Sequence, residues 1–223
     1  MGEKYALYAC CFPKNRYFWP VEYNSYLTIA ASVEAKFVER KSIFLSFALP
    51  VDSWEACEEH LRRFRKDYYD ARHVCYAWVG LSEGQELTKS SDNGEPSGTA
   101  GRPMLGCLLS HELKNVLVVV IRYFGGIKLG VPGLIAAYKA ATEEVLQKAS
   151  VVRHTIEHLC LLTFPYERMN DVMQILKRYN IRVLENMADI ECHLRVSIPQ
   201  EVFSTVHPLL IKVASLQSAH GSV

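Results

Sequence analysis

The sequence predicts an α+β protein of two domains, divided near residues 149–154. Three observations carry that reading. The apolar run Val116–Ile121 has no polar interruption, as in a strand covered on both faces. Segments with helical spacing frame it on both sides. From Glu157 onward a second, shorter set of strand and helix patterns begins and is complete in itself. At 223 residues, 49% of them apolar, the chain is long enough for two modest cores and is unlike a disordered polypeptide.

Residues 1–25 are aromatic-rich, carry no clear period and read as an N-terminal extension. The first domain is expected over 30–149. Phe37-Val38 and Ser42–Leu49 read as a strand pair broken at Glu39-Arg40-Lys41 and closed by Pro50. Asp52 or Ser53 then supplies a helix N-cap, and Trp54, Cys57, Leu61 and Phe64 recur on one helical face. Early Glu58 and Glu59, with late Arg62, Arg63, Arg65 and Lys66, match the helix dipole. Val74–Leu81 is a strand. Pro103 opens a short helix through Leu109, and Pro132 opens a longer one to Lys148, with Leu134, Tyr138, Ala141 and Val145 facing inward.

The second domain is expected over 154–223. Its order is strand Glu157–Thr163, helix Glu167–Tyr179, strands Ile181–Met187 and Asp189–Ile198, and helix Gln200–Ala214. Val172, Met173, Leu176 and Tyr179 form the buried face of one helix; Val202, Phe203, Val206 and Leu210 form that of the other. This βαββα order is similar to a ferredoxin-like domain.

Charge narrows the function classes. Lys+Arg total 25 against 24 Asp+Glu, and residues 31–149 hold 15 of each sign. That balance argues against indiscriminate duplex binding driven by net charge, while leaving room for a local phosphate patch. The seven cysteines include no C-x-x-C pair, which points to reduced structural thiols rather than disulfides or zinc. No metal or cofactor is expected. The apolar stretch Tyr5–Phe12 is too short to cross a bilayer, so no membrane association and a cytoplasmic location are expected.

Three polar pieces stand out from this background. Ser91–Pro103 sets Asp92, Glu95 and Arg102 among Gly94, Gly98 and Gly101, with almost nothing to bury. Arg122–Gly130 repeats the pairing of charge and glycine, and Asp70-Ala71-Arg72-His73 is the third. If Pro103 and Pro132 occupy first helical positions, each helix presents free N–H groups beside a glycine and a cation, a setting that attracts anions. Arg72, Arg102, Arg122 and Lys128 would then make a phosphate pocket, with Gly101, Gly125 and Gly126 allowing close approach and Asp70, Asp92 and Glu95 orienting the cations. The structural alternative is that Asp92 and Glu95 pair with Arg102 and Arg122 and satisfy loop backbone, while the glycines serve positive φ. A catalytic version would use His73 and Glu95 as proton carriers. However, nucleophile elbow, P-loop and Rossmann glycine signatures are missing from the sequence.

Asp70–Trp78, Ser91–Pro103 and Val116–Gly133, three motifs in fixed order, closely resemble the YigZ/IMPACT family. The resemblance spans about residues 30–149, with the tail similar to the smaller C-terminal domain of bacterial members. It implies an N-terminal two-layer α/β domain similar to the second domain of a small-subunit ribosomal protein. It also implies a C-terminal ferredoxin-like domain similar to one in a translocation elongation factor. In function it implies contact with RNA, the ribosome or a protein partner in translational regulation. The alternatives are an enzyme acting on a small phosphorylated or peptide-like substrate, or a protein-interaction module. Three positions depart from the family pattern: Asn93 stands where a second aspartate is common, Pro132 where glycine is, and Ala136 where a basic residue is.

Overall fold

Val116–Ile121 forms most of the central strand of a five-stranded antiparallel sheet. In the computed structural model, residues 24–82, 85–188 and 191–219 are described. Most of the expected N-terminal extension therefore lies outside them, as do Cys10, Cys11, Asp189 and His220. The sheet contains β2 (Val33–Glu39), β3 (Ser42–Pro50), β4 (His73–Ser82), β5 (Gln85–Ser91) and β6 (Val116–Tyr123), in the order β2-β3-β6-β4-β5. Strand β6 is apolar on both faces because both are packed. Val116, Val118 and Val120 meet α2 (Gly101–Ser110) and α3 (Gly130–Lys148) on one side. Leu117, Val119 and Ile121 meet α1 (Trp54–Asp67) on the other. The expected two-layer stack of sheet and helices is thus present in α2 and α3, and α1 adds a third layer on the opposite face.

Local signals place most of these elements. Ser53 caps α1, its hydroxyl accepting from the Ala56 N–H at 3.3 Å. Helices α2 and α3 begin two residues before the expected prolines, so Pro103 and Pro132 are the third residue of each. Every N–H of a first turn lacks an intrahelical acceptor, so proline costs no hydrogen bond there. The polar edge strand β5 has no apolar alternation to announce it, and pairing with β4 alone defines it.

The Ala149–His154 junction also holds a strand that periodicity does not reveal. It is β7 (Val151–Thr155), paired antiparallel with β1 (Ser25–Ile29). Ile29 is buried in the core beside α3, so the folded structure reaches back to Ser25, a few residues before the expected start of the domain at 30.

The C-terminal unit completes its expected pattern. It comprises β8 (Glu157–Phe164), α4 (Met169–Arg178), β9 (Arg182–Ala188), β10 (Cys192–Pro199), α5 (Gln200–Leu210) and an additional strand, β11 (Ser215–Ala219). Helix α5 ends at Leu210, four residues short of the expected Ala214, and β11 begins after the turn at 211–214. The all-antiparallel order β11-β8-β10-β9 is the βαββαβ topology of a ferredoxin-like sheet. Cys160, Leu162, Val196 and Ile198 pack with Val172, Leu176, Val206 and Leu210 from the helices. No described helix is long and apolar enough to cross a membrane.

Candidate functional site

The three polar pieces converge at one end of the N-terminal sheet. There β4 begins, β6 ends and α3 starts. Register places His73 of β4 and Phe44 of β3 on either side of Arg122 in β6. A cleft of about 620 Å³ opens above them, within the ~300–1,000 Å³ of small-ligand sites. Asp70, Arg72, His73, Glu95, Arg122 and Lys128 all line it.

The floor is a buried polar network. Arg122 Nη1 donates to Glu95 Oε1 at 2.7 Å, with the two side chains only 7% and 3% exposed. The Tyr138 hydroxyl donates to the same oxygen at 2.9 Å. The Cys75 thiol donates to the Asp92 carbonyl at 2.9 Å and lies 3.4 Å from the Tyr138 oxygen. Burial, then the carboxylates of Glu95 and Asp92, push this thiol up to about 12, which rules it out as a ready nucleophile. The Arg122 guanidinium also lies within 5.7 Å of the Phe44 ring and 5.6 Å of the Phe124 ring, and its Nε has no hydrogen-bond partner.

Asp92 does not orient a cation. Its Oδ2 accepts from the Gly98 N–H at 2.8 Å, and its Oδ1 from Ala100 and Gly101 N–H groups at 2.9 Å each. Burial alone would raise its pKa, but these three donors outweigh it and hold the carboxyl below its usual value. A carboxylate of the chain itself thus fills the anion-attracting start of α2. Gly101 has its N–H engaged there, and a Cβ on it would fall 2.7 Å from the Ser91 backbone nitrogen.

The loop that delivers Asp92 is a tight turn. Glu95 N–H returns to the Asp92 carbonyl at 3.0 Å, with φ of 38° at Asn93 and 84° at Gly94. Asn93, the departure from the family pattern, suits this left-handed position, and its Oδ1 accepts from the Val74 N–H at 2.9 Å.

The cations divide into two places. Arg72 and Lys128 are exposed at the cleft's rim and have no ion-pair partner among the described residues. Arg102 lies in a separate depression of about 500 Å³ between α2 and α3, with Lys139. The four-cation pocket therefore does not form as one unit, because the α2 start turns Arg102 away from the cleft.

Gly130 and Val131 open α3 at the cleft, and no side chain caps that helix. Gly125 is there for contact: a Cβ would fall 2.0 Å from the Lys41 carbonyl carbon. Gly126 serves a φ of 86°. Asp70 accepts from the Tyr123 hydroxyl at 2.8 Å. His73 Nδ1 lies 3.1 Å from the Asn93 carbonyl oxygen. His73 and Glu95 share the cleft, but the Glu95 carboxylate is already committed to Arg122 and Tyr138.

Sequence reasoning treats Tyr138 as plain core and assigns nothing to Ser42 or Phe124. A tyrosine on an otherwise apolar helix face is the available signal for the first, since a buried hydroxyl requires a partner. Ser42 is fully buried, and its hydroxyl accepts from the Gly125 N–H at 3.3 Å.

Comparison with known proteins agrees with this fold. Residues 40–146 match the model of the Impact N-terminal domain. The chain is 36% identical to IMPACT family member YvyE of Bacillus subtilis (strain 168), over 69% of this chain and 70% of that protein. It is 32% identical to IMPACT family member YigZ of Escherichia coli (strain K12), over 79% of this chain and 87% of that protein. A crystal structure described as that of a hypothetical protein aligns with a TM-score of 0.64 at 29% identity, covering 90% of this chain and 100% of the other. On these identities and coverages, this chain belongs to the IMPACT family.

Proposed function

We propose that the cleft contacts the phosphate backbone of RNA, in keeping with the translation-associated role that the family resemblance implies. One observation carries this reading. Arg72 and Lys128 line the cleft beside the uncapped start of α3 with no ion-pair partner among the described residues, whereas Arg122 is paired with Glu95 and the Asp70 carboxylate of the same cleft accepts from the Tyr123 hydroxyl. Backbone N–H groups at Gly130 and Val131, together with two exposed cations, suit a phosphate oxygen. Arg122 supports this surface from below. The balanced charge of the domain confines the interaction to this patch and favours weak, salt-sensitive contacts over global attraction.

The test is equilibrium binding of the full chain to a fluorescent RNA across a salt series. Binding should weaken with salt, and Arg72→Ala plus Lys128→Ala should reduce both affinity and the salt slope, by roughly 0.7 per lost phosphate contact on a single strand. An unchanged affinity and slope in the folded double variant would overturn the reading. So would an absence of RNA binding by the unmodified protein.

A further inference from the structure

Phe124 is the exposed aromatic of the cleft. It is 56% accessible although it lies two residues beyond the buried Arg122, and its ring sits 5.6 Å from the Arg122 guanidinium. Val131, which lines the same cleft, is also exposed, at 52%. Two exposed apolar side chains in a charged cleft gain nothing from phosphate, so a ligand that engages the whole site must offer an apolar face as well as an anion. A duplex presents its phosphates outward and keeps its base faces stacked inside. A single strand offers both at once.

We infer that the cleft takes an unpaired nucleotide, with its base stacked on Phe124 and its phosphate at Lys128 and the α3 start. This rests on the cleft being a nucleic-acid contact and specifies which form of nucleic acid it accepts. Arg122 contributes without touching the ligand. Fixed by Glu95 and packed between Phe44 and Phe124, its guanidinium sets the position of the aromatic ring. Val131 provides the apolar edge beside the stacked base.

The experiment compares the full-length protein with Phe124→Ala and Phe124→Trp, using a short unstructured RNA, the same length as a perfect duplex, and inorganic polyphosphate. The single strand should bind more tightly than the duplex. Phe124→Ala should cost roughly 5- to 100-fold on the single strand, Phe124→Trp should retain binding, and polyphosphate should be insensitive to either change. Because Phe124 is at the surface, both variants should remain folded, with Phe124→Ala melting slightly lower through loss of its contact with Arg122. Equal affinity for strand and duplex, or Phe124→Ala matching the unmodified protein, overturns the stacking inference and leaves the phosphate reading standing. Loss of all RNA binding in the unmodified protein overturns both.

Discussion

Glu95 and Arg122 are 27 residues apart in sequence and meet at 2.7 Å beneath the cleft, with both side chains almost wholly removed from water. The pair ties the 92–100 loop to the central strand, and Tyr138 adds α3 through the same carboxylate oxygen. Removing one member leaves the other charge buried and alone, which generally costs about 3–5 kcal/mol. Glu95→Ala should therefore lower the melting temperature sharply. Glu95→Gln combined with Arg122→Met, which removes both charges, should recover part of the loss. A double-mutant cycle by thermal or denaturant unfolding checks this; additive losses would show that the pair is not coupled.

Asp92 acts as a remote cap for α2, so Asp92→Ala leaves three loop and helix donors without their acceptor. The expected cost is about 2–3 kcal/mol, measured by chemical denaturation.

The same carboxyl makes stability depend on pH. Its folded pKa is depressed, so the charged form favours the native state. That contribution is fully present above the unfolded value of about 3.9 and is lost as pH falls through the lower folded value. Unfolding measured against pH should show Asp92→Asn trailing the unmodified protein near neutrality, with the gap narrowing in acid. A gap that stayed constant would disprove the linkage.

Gly125 lies against the backbone of the β2–β3 hairpin, where a methyl group would overlap the Lys41 carbonyl. Gly125→Ala should destabilise by about 1–3 kcal/mol through overpacking. Gly98→Ala meets no neighbouring atom and should cost less, through its φ of 77° alone. Parallel melting curves of the two variants distinguish contact from conformation.

Cys75 has a thiol pushed up to about 12 and is fully buried, so it should resist maleimide in the native protein at mildly alkaline pH and react on unfolding. Peptide mass spectrometry after pulsed labelling reads this directly. Native labelling at Cys75 would indicate a local opening of the network.

The sequence alone determined the division into two α+β units and the covered central strand. Unbroken apolar runs and helical spacing are local consequences of burial, so Val116–Ile121 and the inward face of α3 are legible without coordinates. It also identified the three polar motifs and, through them, the family. Polar edge strands were not legible. In β5 and β7 no hydrophobic period marks the element, and hydrogen bonding to a distant partner creates it. Tertiary structure also decided how the charges are used. Asp92, Glu95, Arg102 and Arg122 have the same formal charges on the page as in space, but a charge is free only when its neighbours leave it so. Folding assigned Asp92 to the start of α2, joined Glu95 to Arg122 and turned Arg102 to another face. Arg72 and Lys128 remained at the cleft without an ion-pair partner among the described residues.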